Sequence, residues 1–199
     1  MKITRLTNQK INNDRVNVFI DGKYELSLTK DQLLSQKLFI NKEIEEGELQ
    51  VLKKISNEGL IRSRVIEWLF IRPRSARELN IYLKKKKLDV DFASQLTLDM
   101  QNKKYQDDKA FCNWWIEQRL SKKMSLIKIK AELFAKGVSK EIIDETINQK
   151  NIDDYQNMLD FIDKKRLTVK YKDEIKLKQY LLSKGYSYDT IKRYFSQQS

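Results

Sequence analysis

The first thirty residues alternate apolar and polar positions with a period of two. Apolar side chains stand at every second position in Val16–Ile20 and again in Tyr24–Leu28, and Asp21 and Gly22 separate the two runs. Asp-Gly between alternating segments predicts a β-hairpin, because this dipeptide tolerates the positive φ angles of a tight primed turn. Lys2–Leu6 is predicted to add a third strand.

After the hairpin the apolar period changes to that of a helix. Thr29 to Gln32 is typical of a capped helix start, for a short helix that runs to Leu38, and Glu45–Lys54 shows a second helical pattern. An isolated hairpin is marginally stable in water, so we expect its apolar face to pack on these helices.

From residue 59 onward the helical pattern repeats. An aromatic residue recurs at spacings of 47 and 46 residues, as Trp68, Trp115 and Phe161. Four residues later each copy carries a cation, and a helix-start residue follows; these are Arg72, Arg119 and Lys165, then Ser75, Ser125 and Asp173. Leu133–Ser139 also aligns with Leu181–Ser187 at an offset of 48. A period of 20 to 50 residues indicates stacked repeats, because one small helical unit cannot bury its apolar face alone.

The pattern as a whole predicts a mainly α-helical protein. We expect an elongated array of three tandem three-helix repeats, preceded by a small N-terminal extension made of the β-hairpin and helices. The expected boundaries are residues 1–58 for the extension and 59–105, 106–151 and 152–199 for the repeats.

The net charge of +12 indicates an anionic partner. Half of it lies in the first repeat, since residues 59–105 carry 11 basic and 5 acidic groups, a net of +6. Neither a membrane span nor a secretory signal is recognisable, so we expect a cytoplasmic protein that does not bind membranes. Cys112 is the single cysteine, in an apolar segment, and is expected to be a packed side chain.

Several absences argue against catalysis. The chain has no histidine, five glycines and one proline, which leaves neither the usual general base nor a glycine-rich phosphate loop. We therefore expect no enzymatic activity, no metal and no cofactor. Asp107-Asp108 and Asp153-Asp154 could suggest carboxylate chemistry, but both pairs directly precede the first helix of a repeat. Capping of that helix is the favoured role.

Cations crowd around the second helix of the first repeat. Arg72, Arg74 and Arg77 surround the helix start, and Lys84–Lys87 ends the same helix. Ser75 and Glu78 have the spacing of a capping box, so loop arginines would lie beside helix N–H groups that could attract an anion. The alternative for the lysine run is an ordinary solvated helix face.

The aromatic residues have two interpretations. Trp68, Trp115 and Phe161 share one repeat position and are each followed by an aliphatic residue, which favours a packing role. Stacking on nucleic-acid bases is left to Trp114 and to the tyrosines Tyr180 and Tyr194.

The motifs of residues 59–151 together resemble the RecX family of recombinase regulators. In order they are Arg72-x-Arg74-Ser75-x-x-Glu78-Leu79-x-x-x-Leu83, then Asp107 and Asp108 with Phe111, Trp115 and Arg119, then Glu132-Leu133-x-x-Lys136-Gly137-Val138. Residues 152–199 resemble the family's third repeat, and the hairpin resembles the N-terminal extension of its longer members.

The resemblance implies a protein that binds the groove of a RecA–DNA filament. Such regulators limit filament growth and suppress strand exchange, ATP hydrolysis and the co-protease function of the filament. DNA, single- or double-stranded, would be bound weakly and in a salt-sensitive way, by a monomer. A module that binds nucleic acid directly, without a recombinase, is the alternative. The candidate contact residues are Arg72, Arg74, Arg77, Lys85, Lys86, Arg119, Lys122, Lys123, Lys165 and Arg166.

Overall fold

The computed structural model describes residues 1–9 and 14–197, which form two compact units, Met1–Trp68 and Leu69–Ser199. Over these ranges the chain has three strands and eleven helices, so the mainly helical fold is confirmed. The strands are β1 (Ile3–Asn8), β2 (Arg15–Ile20) and β3 (Lys23–Thr29). The helices are α1 (Lys30–Ser35), α2 (Glu46–Ile71), α3 (Ala76–Lys85), α4 (Val90–Asn102), α5 (Asp108–Leu120), α6 (Leu126–Ala135), α7 (Lys140–Lys150), α8 (Asp154–Lys164), α9 (Leu167–Lys170), α10 (Glu174–Ser183) and α11 (Tyr188–Ser196).

The three strands form one antiparallel sheet in the order β1-β2-β3. The hairpin between β2 and β3 is confirmed, and its turn residues Asp21 and Gly22 have φ angles of 47° and 82°. These positive angles suit the right-handed twist of the flanking strands. The third strand is also confirmed, although it extends two residues beyond Leu6.

An irregularity in the hairpin changes the face on which Tyr24 lies. Val18 pairs with Leu26, whereas Phe19 pairs with Tyr24, so Glu25 is an extra residue on β3. Such a bulge shifts the alternation by one position. Tyr24 is therefore 56% exposed and packs edge-on against Phe19. The sequence pattern placed Tyr24 on the same face as Leu26 and Leu28, and this is wrong for Tyr24.

The apolar face of the sheet packs on the segments that follow it, as expected. Val18, Ile20 and Leu28 share one core with Leu49 and Leu52 of α2. Burying a side chain of this size stabilises the folded state by about 1.5 to 3 kcal/mol. This core therefore supplies the stability that a hairpin lacks by itself.

Both predicted helices of the first unit have different ends from those expected. Helix α1 has the predicted capping box, in which Thr29 accepts from Gln32 N and Gln32 accepts from Thr29 N, but it ends at Ser35. Helix α2 continues through Gly59 to Ile71, and the first proline of the chain, Pro73, follows its end. The expected boundary between residues 58 and 59 thus falls inside one helix.

In the second unit, the three repeats share a helix of the same length and pattern. Ser75, Ser125 and Asp173 are N-caps, so the three predicted helix starts are confirmed. Each helix buries two aliphatic residues four positions apart, which places them on one face. The pairs are Leu79 and Leu83, Ile129 and Leu133, and Leu177 and Leu181. The last repeat also contains the short extra helix α9.

The packing role predicted for the repeated aromatic position is confirmed for two of its three members. Trp115 and Phe161 are 9% and 8% exposed and belong to separate cores, whereas Trp68 is half-buried. Tyr194 is also buried, which removes it from the candidates for stacking on bases. Cys112 is buried as expected, and its burial raises the pKa of the thiol.

Candidate binding surface at the repeat junctions

Successive repeats of the second unit meet through the same hydrogen bond. The buried hydroxyl of Ser75, at the start of α3, donates to the carbonyl of Lys136 at the end of α6, with an O···O distance of 2.8 Å. One repeat later, the hydroxyl of Ser125 donates to the carbonyl of Lys184 at 3.0 Å. In the first two repeats, the start of the second helix therefore contacts the end of the second helix of the following repeat.

The glycine that follows Lys136 lets the helices approach this closely. Gly137 has a φ of 83°, and a Cβ added to it would lie 2.8 Å from the Cβ of Arg77. Lys87 adopts a φ of 51° after α3, so a side chain is tolerated in this conformation elsewhere in the unit. Gly185, which follows Lys184, would likewise place a Cβ 2.8 Å from the hydroxyl of Ser125. The close approach is what requires glycine at this junction.

The two aspartates of each pair, before α5 and before α8, accept hydrogen bonds from the starts of two different helices. Asp107 and Asp153 cap their own helices, as predicted. The same prediction is wrong for Asp108 and Asp154, which accept the first N–H of the preceding repeat's second helix. The distances are 2.8 Å from Ala76 N to Asp108 and 3.1 Å from Leu126 N to Asp154. Burial raises the pKa of Asp154, against the opposing effect of its hydrogen bonds with Leu126 N and the Asn157 side chain.

This arrangement fills the helix start at which we expected an anion. Ala76 N donates to Asp108, and Glu78 N donates to the hydroxyl of Ser75. A carboxylate of the protein itself thus occupies the place of the expected ligand, and we do not assign an anion site to the N-terminus of α3.

Arg72 is part of an ion-pair network that links the first two repeats. Its guanidinium donates to both oxygens of Glu78, at 2.9 and 3.1 Å, and lies over the Trp114 ring at 5.0 Å from the centroid. Lys136 donates to Glu78 from the other repeat at 3.1 Å. Glu78 is therefore not the reciprocal partner of Ser75, and the predicted capping box is only half formed. Burial raises the pKa of Glu78, but the hydrogen bonds from Arg72 and Lys136 outweigh it and lower the pKa overall.

Arg119 forms a comparable network in the second repeat. It donates to Glu132 at 2.6 Å and lies over the Trp115 ring at 4.1 Å. The indole N–H of Trp115 donates to the same carboxylate at 2.9 Å, and Lys136 lies 4.3 Å from the Trp115 ring centroid. Arg72 and Arg119 thus lie at equivalent places in their repeats, each paired with a glutamate.

A further arginine of the expected set, Arg77, contributes to the same junction, and Arg74 is half-buried beside Arg72. Arg77 donates to the carbonyl of Ala135 at 2.9 Å, next to the bond made by Ser75. Burial lowers the pKa of Arg74, and the neighbouring charge of Arg72 lowers it further. The first repeat therefore uses its arginines to hold the second repeat as well as to present positive charge.

The remaining expected residues lie in two places. Lys85 and Lys86 are exposed at the end of α3, where Lys86 lies 5.1 Å from the Tyr82 ring centroid. Lys122, Lys123 and Lys165 line a pocket at the junction of the second and third repeats, and Arg166 precedes α9 with a φ of 48°. Sequence reasoning missed Lys128, Lys136 and Lys184 at the junctions. The Lys-Gly dipeptides at 136–137 and 184–185 were the available signal for the last two.

Within residues 1–9 and 14–197 no cluster of three acidic or cysteine side chains could hold a metal ion. No helix in those ranges is long and apolar enough to cross a membrane.

Three-helix repeats that meet through identical contacts, with cations at each junction, are characteristic of a helical-repeat binding protein. Three family models match the chain: the regulatory protein RecX N-terminal domain at residues 1–45, the RecX second three-helix domain at 107–147 and the RecX third three-helix domain at 153–195. The chain belongs to the RecX family. It is a regulatory protein and not an enzyme.

Two relatives from Clostridium are similar over nearly their whole length. The regulatory protein RecX of Clostridium beijerinckii is 30% identical over 94% of this chain and 90% of its own. That of Clostridium botulinum (strain Alaska E43 / Type E3) is also 30% identical, over 96% and 93%. A crystal structure of a regulatory protein RecX matches the fold with a TM-score of 0.71 at 20% identity, over 96% of this chain and 97% of that one. RecX from Lactobacillus salivarius matches 68% of this chain and 92% of its own, with a TM-score of 0.61 at 21% identity.

Proposed function

We propose that this protein binds the groove of RecA–DNA filaments and inhibits the recombinase. Strand exchange, ATP hydrolysis and the co-protease function of the filament would all be reduced. The protein would act as a monomer in the cytoplasm, without a cofactor. Membership of the RecX family supports the choice of partner.

The observation that carries the proposal is the recurrence of one basic junction along the second unit. Arg119 and Lys136 lie at the first junction, and Lys165 and Lys184 lie at equivalent places in the second. A partner that is itself a repeating anionic polymer can present an equivalent surface to each junction.

A titration tests this proposal against its alternative, a module that binds nucleic acid directly. The affinity for bare single-stranded DNA would be compared with that for RecA-coated DNA at the same salt concentration. We expect tighter binding to the filament, together with slower strand exchange and ATP hydrolysis. Equal affinity for bare and RecA-coated DNA, with no effect on either activity, would favour the direct nucleic-acid binder. The pocket lined by Lys122, Lys123 and Lys165 is the specific support for that alternative.

A further inference from the structure

The junction of the second and third repeats contains a pocket lined mainly by lysines. Its volume is about 380 Å³, and the side chains around it come from the α5–α6 turn, α6, the end of α8 and α10. Five of these are Lys122, Lys123, Lys128, Lys165 and Lys184. An anion in the space between these like charges would interact favourably with all of them.

The equivalent place at the first junction has a different charge balance. The repeat offset of 50 residues that relates Ser75 to Ser125 also relates Glu78 to Lys128. The offset of 48 that relates Lys136 to Lys184 relates Glu132 to Tyr180. Both carboxylates of the first junction are therefore replaced in the second, one by a cation and one by a neutral ring.

This replacement leaves most of the lysine charges of the pocket unneutralised. At the first junction Glu78 binds Arg72 and Lys136, and Glu132 binds Arg119. At the second, Lys123 pairs with Asp160, and Lys128 donates to the carbonyl of Ser183 at 2.8 Å. Lys184 lies 4.9 Å from the Tyr180 ring centroid. Among residues 1–9 and 14–197, Lys122, Lys128, Lys165 and Lys184 have no carboxylate partner.

The lining of the pocket is suited to a phosphate. Arginine pairs with carboxylates and phosphates alike through two parallel hydrogen bonds, and Arg72 binds Glu78 in this way at the first junction. Lysine is a compact point charge that binds phosphate oxygens without the planar two-bond geometry of arginine. The described lining of the pocket at the second junction contains lysines and no arginine. The half-buried Tyr180 and the buried Phe161 form an apolar wall beside the charges. A phosphodiester with its attached sugar presents this combination of anionic and less polar surface.

We propose that this pocket binds a backbone phosphate of nucleic acid, so that the second repeat junction contacts DNA while the first is held closed by its own glutamates. The inference deepens the function proposed above and rests on it, because DNA is a component of the filament. It assigns the direct DNA contact to one junction of the two.

The repeat itself provides the variants that test this proposal. Lys128→Glu and Tyr180→Glu give the second junction the two carboxylates that the first already has. Lys176→Glu combined with Gln179→Glu is the matched control, since the pair makes the same total charge change at exposed positions of α10 outside the pocket. Thermal melting of the full-length variants verifies that each is folded, and Lys128→Gln provides a milder change if the glutamate variants melt early.

The assay is fluorescence anisotropy with a labelled 30-mer oligothymidylate at several NaCl concentrations. We expect the double variant to bind at least tenfold more weakly than the control. Its log-log salt slope should be smaller by about 0.7 for each lost phosphate contact on a single strand. Wild-type affinity and slope in the double variant would overturn the proposal. So would competition by polyglutamate as effective as that by unlabelled oligonucleotide, because the pocket would then recognise carboxylates.

Binding to RecA-coated DNA separates this inference from the proposed function. If wild-type protein fails to bind the filament, the proposed function is wrong, while the oligothymidylate assay still decides on the pocket. If wild-type protein binds the filament and the double variant retains full affinity for bare DNA, the proposed function stands and the pocket assignment fails.

Discussion

Replacing Trp115 by alanine should destabilise the second unit strongly. The indole is 9% exposed, packs against Phe111 with ring centroids 5.6 Å apart, and lies under both Arg119 and Lys136. Truncating a buried tryptophan to alanine costs about 3 to 5 kcal/mol. For a unit of this size that corresponds to a decrease of roughly 10 to 20 °C in melting temperature.

Two variants of the same helix separate the causes of that loss. Trp114→Ala removes an adjacent ring that is only half-buried, and should cost about 1 to 2 kcal/mol. Trp115→Phe keeps an aromatic ring against Phe111 but removes the N–H that donates to Glu132, which should also cost about 1 kcal/mol or somewhat more. Glu132 keeps its bond from Arg119, so its carboxylate is not left unpaired.

Differential scanning calorimetry, with filament binding measured in parallel, provides the test. We expect the order of stability to be wild type, then Trp115→Phe and Trp114→Ala, then Trp115→Ala. If Trp115→Ala melts with the wild type yet loses DNA or filament binding, the ring is a contact surface and its assignment to the core is wrong. Equal losses for both alanine variants would also contradict the argument, because burial would not then determine the cost.

Three further outcomes follow from the junctions. The folded protein lowers the pKa of Glu78, so the ionised carboxylate stabilises the fold above the ordinary pKa of 4.5, and this stabilisation is lost as the pH falls through the folded-state pKa. The melting temperature measured between pH 3 and 7 should therefore decline more steeply in acid for wild type than for Glu78→Gln, and parallel profiles would refute this. Gly137→Ala should cost more than the roughly 1 to 2 kcal/mol of a left-handed backbone angle alone, since its Cβ meets Arg77; urea denaturation showing a smaller loss would mean that the helices can separate freely. Binding to bare duplex DNA should weaken steeply with salt, by a log-log slope of about −0.9 per neutralised phosphate; sequence-selective binding that persists at high salt would argue against charge-based contact.

Alanine variants of the arginines in the first repeat do not test binding charge alone. Arg72 and Arg77 both bond to groups of the protein at the first junction, so alanine variants change packing as well as charge. Lys85 and Lys86 are exposed at the end of α3, where a helix C-terminus favours cations, and make better probes of charge alone.

The sequence by itself determined the parts of this protein that depend on neighbours along the chain. The hairpin follows from Asp21-Gly22 between alternating strands, and the helix starts follow from capping residues such as Ser75 and Ser125. The offset between repeats identified Trp115 and Phe161 as packing positions. Turn angles, caps and apolar periodicity all act within a few residues, which is why they can be read without the fold.

Only the tertiary structure decided which charges remain available. Glu78 looked like half of a capping box, yet it binds Arg72 and, 58 residues away, Lys136. The sequence suggested that Asp108 caps its own helix, yet its carboxylate accepts a hydrogen bond from Ala76 N at the start of α3. Whether a cation is neutralised depends on which side chains docking brings within a few ångströms, and the repeat pattern does not specify this. The same dependence gives the second junction a pocket of lysines where the first has closed ion pairs.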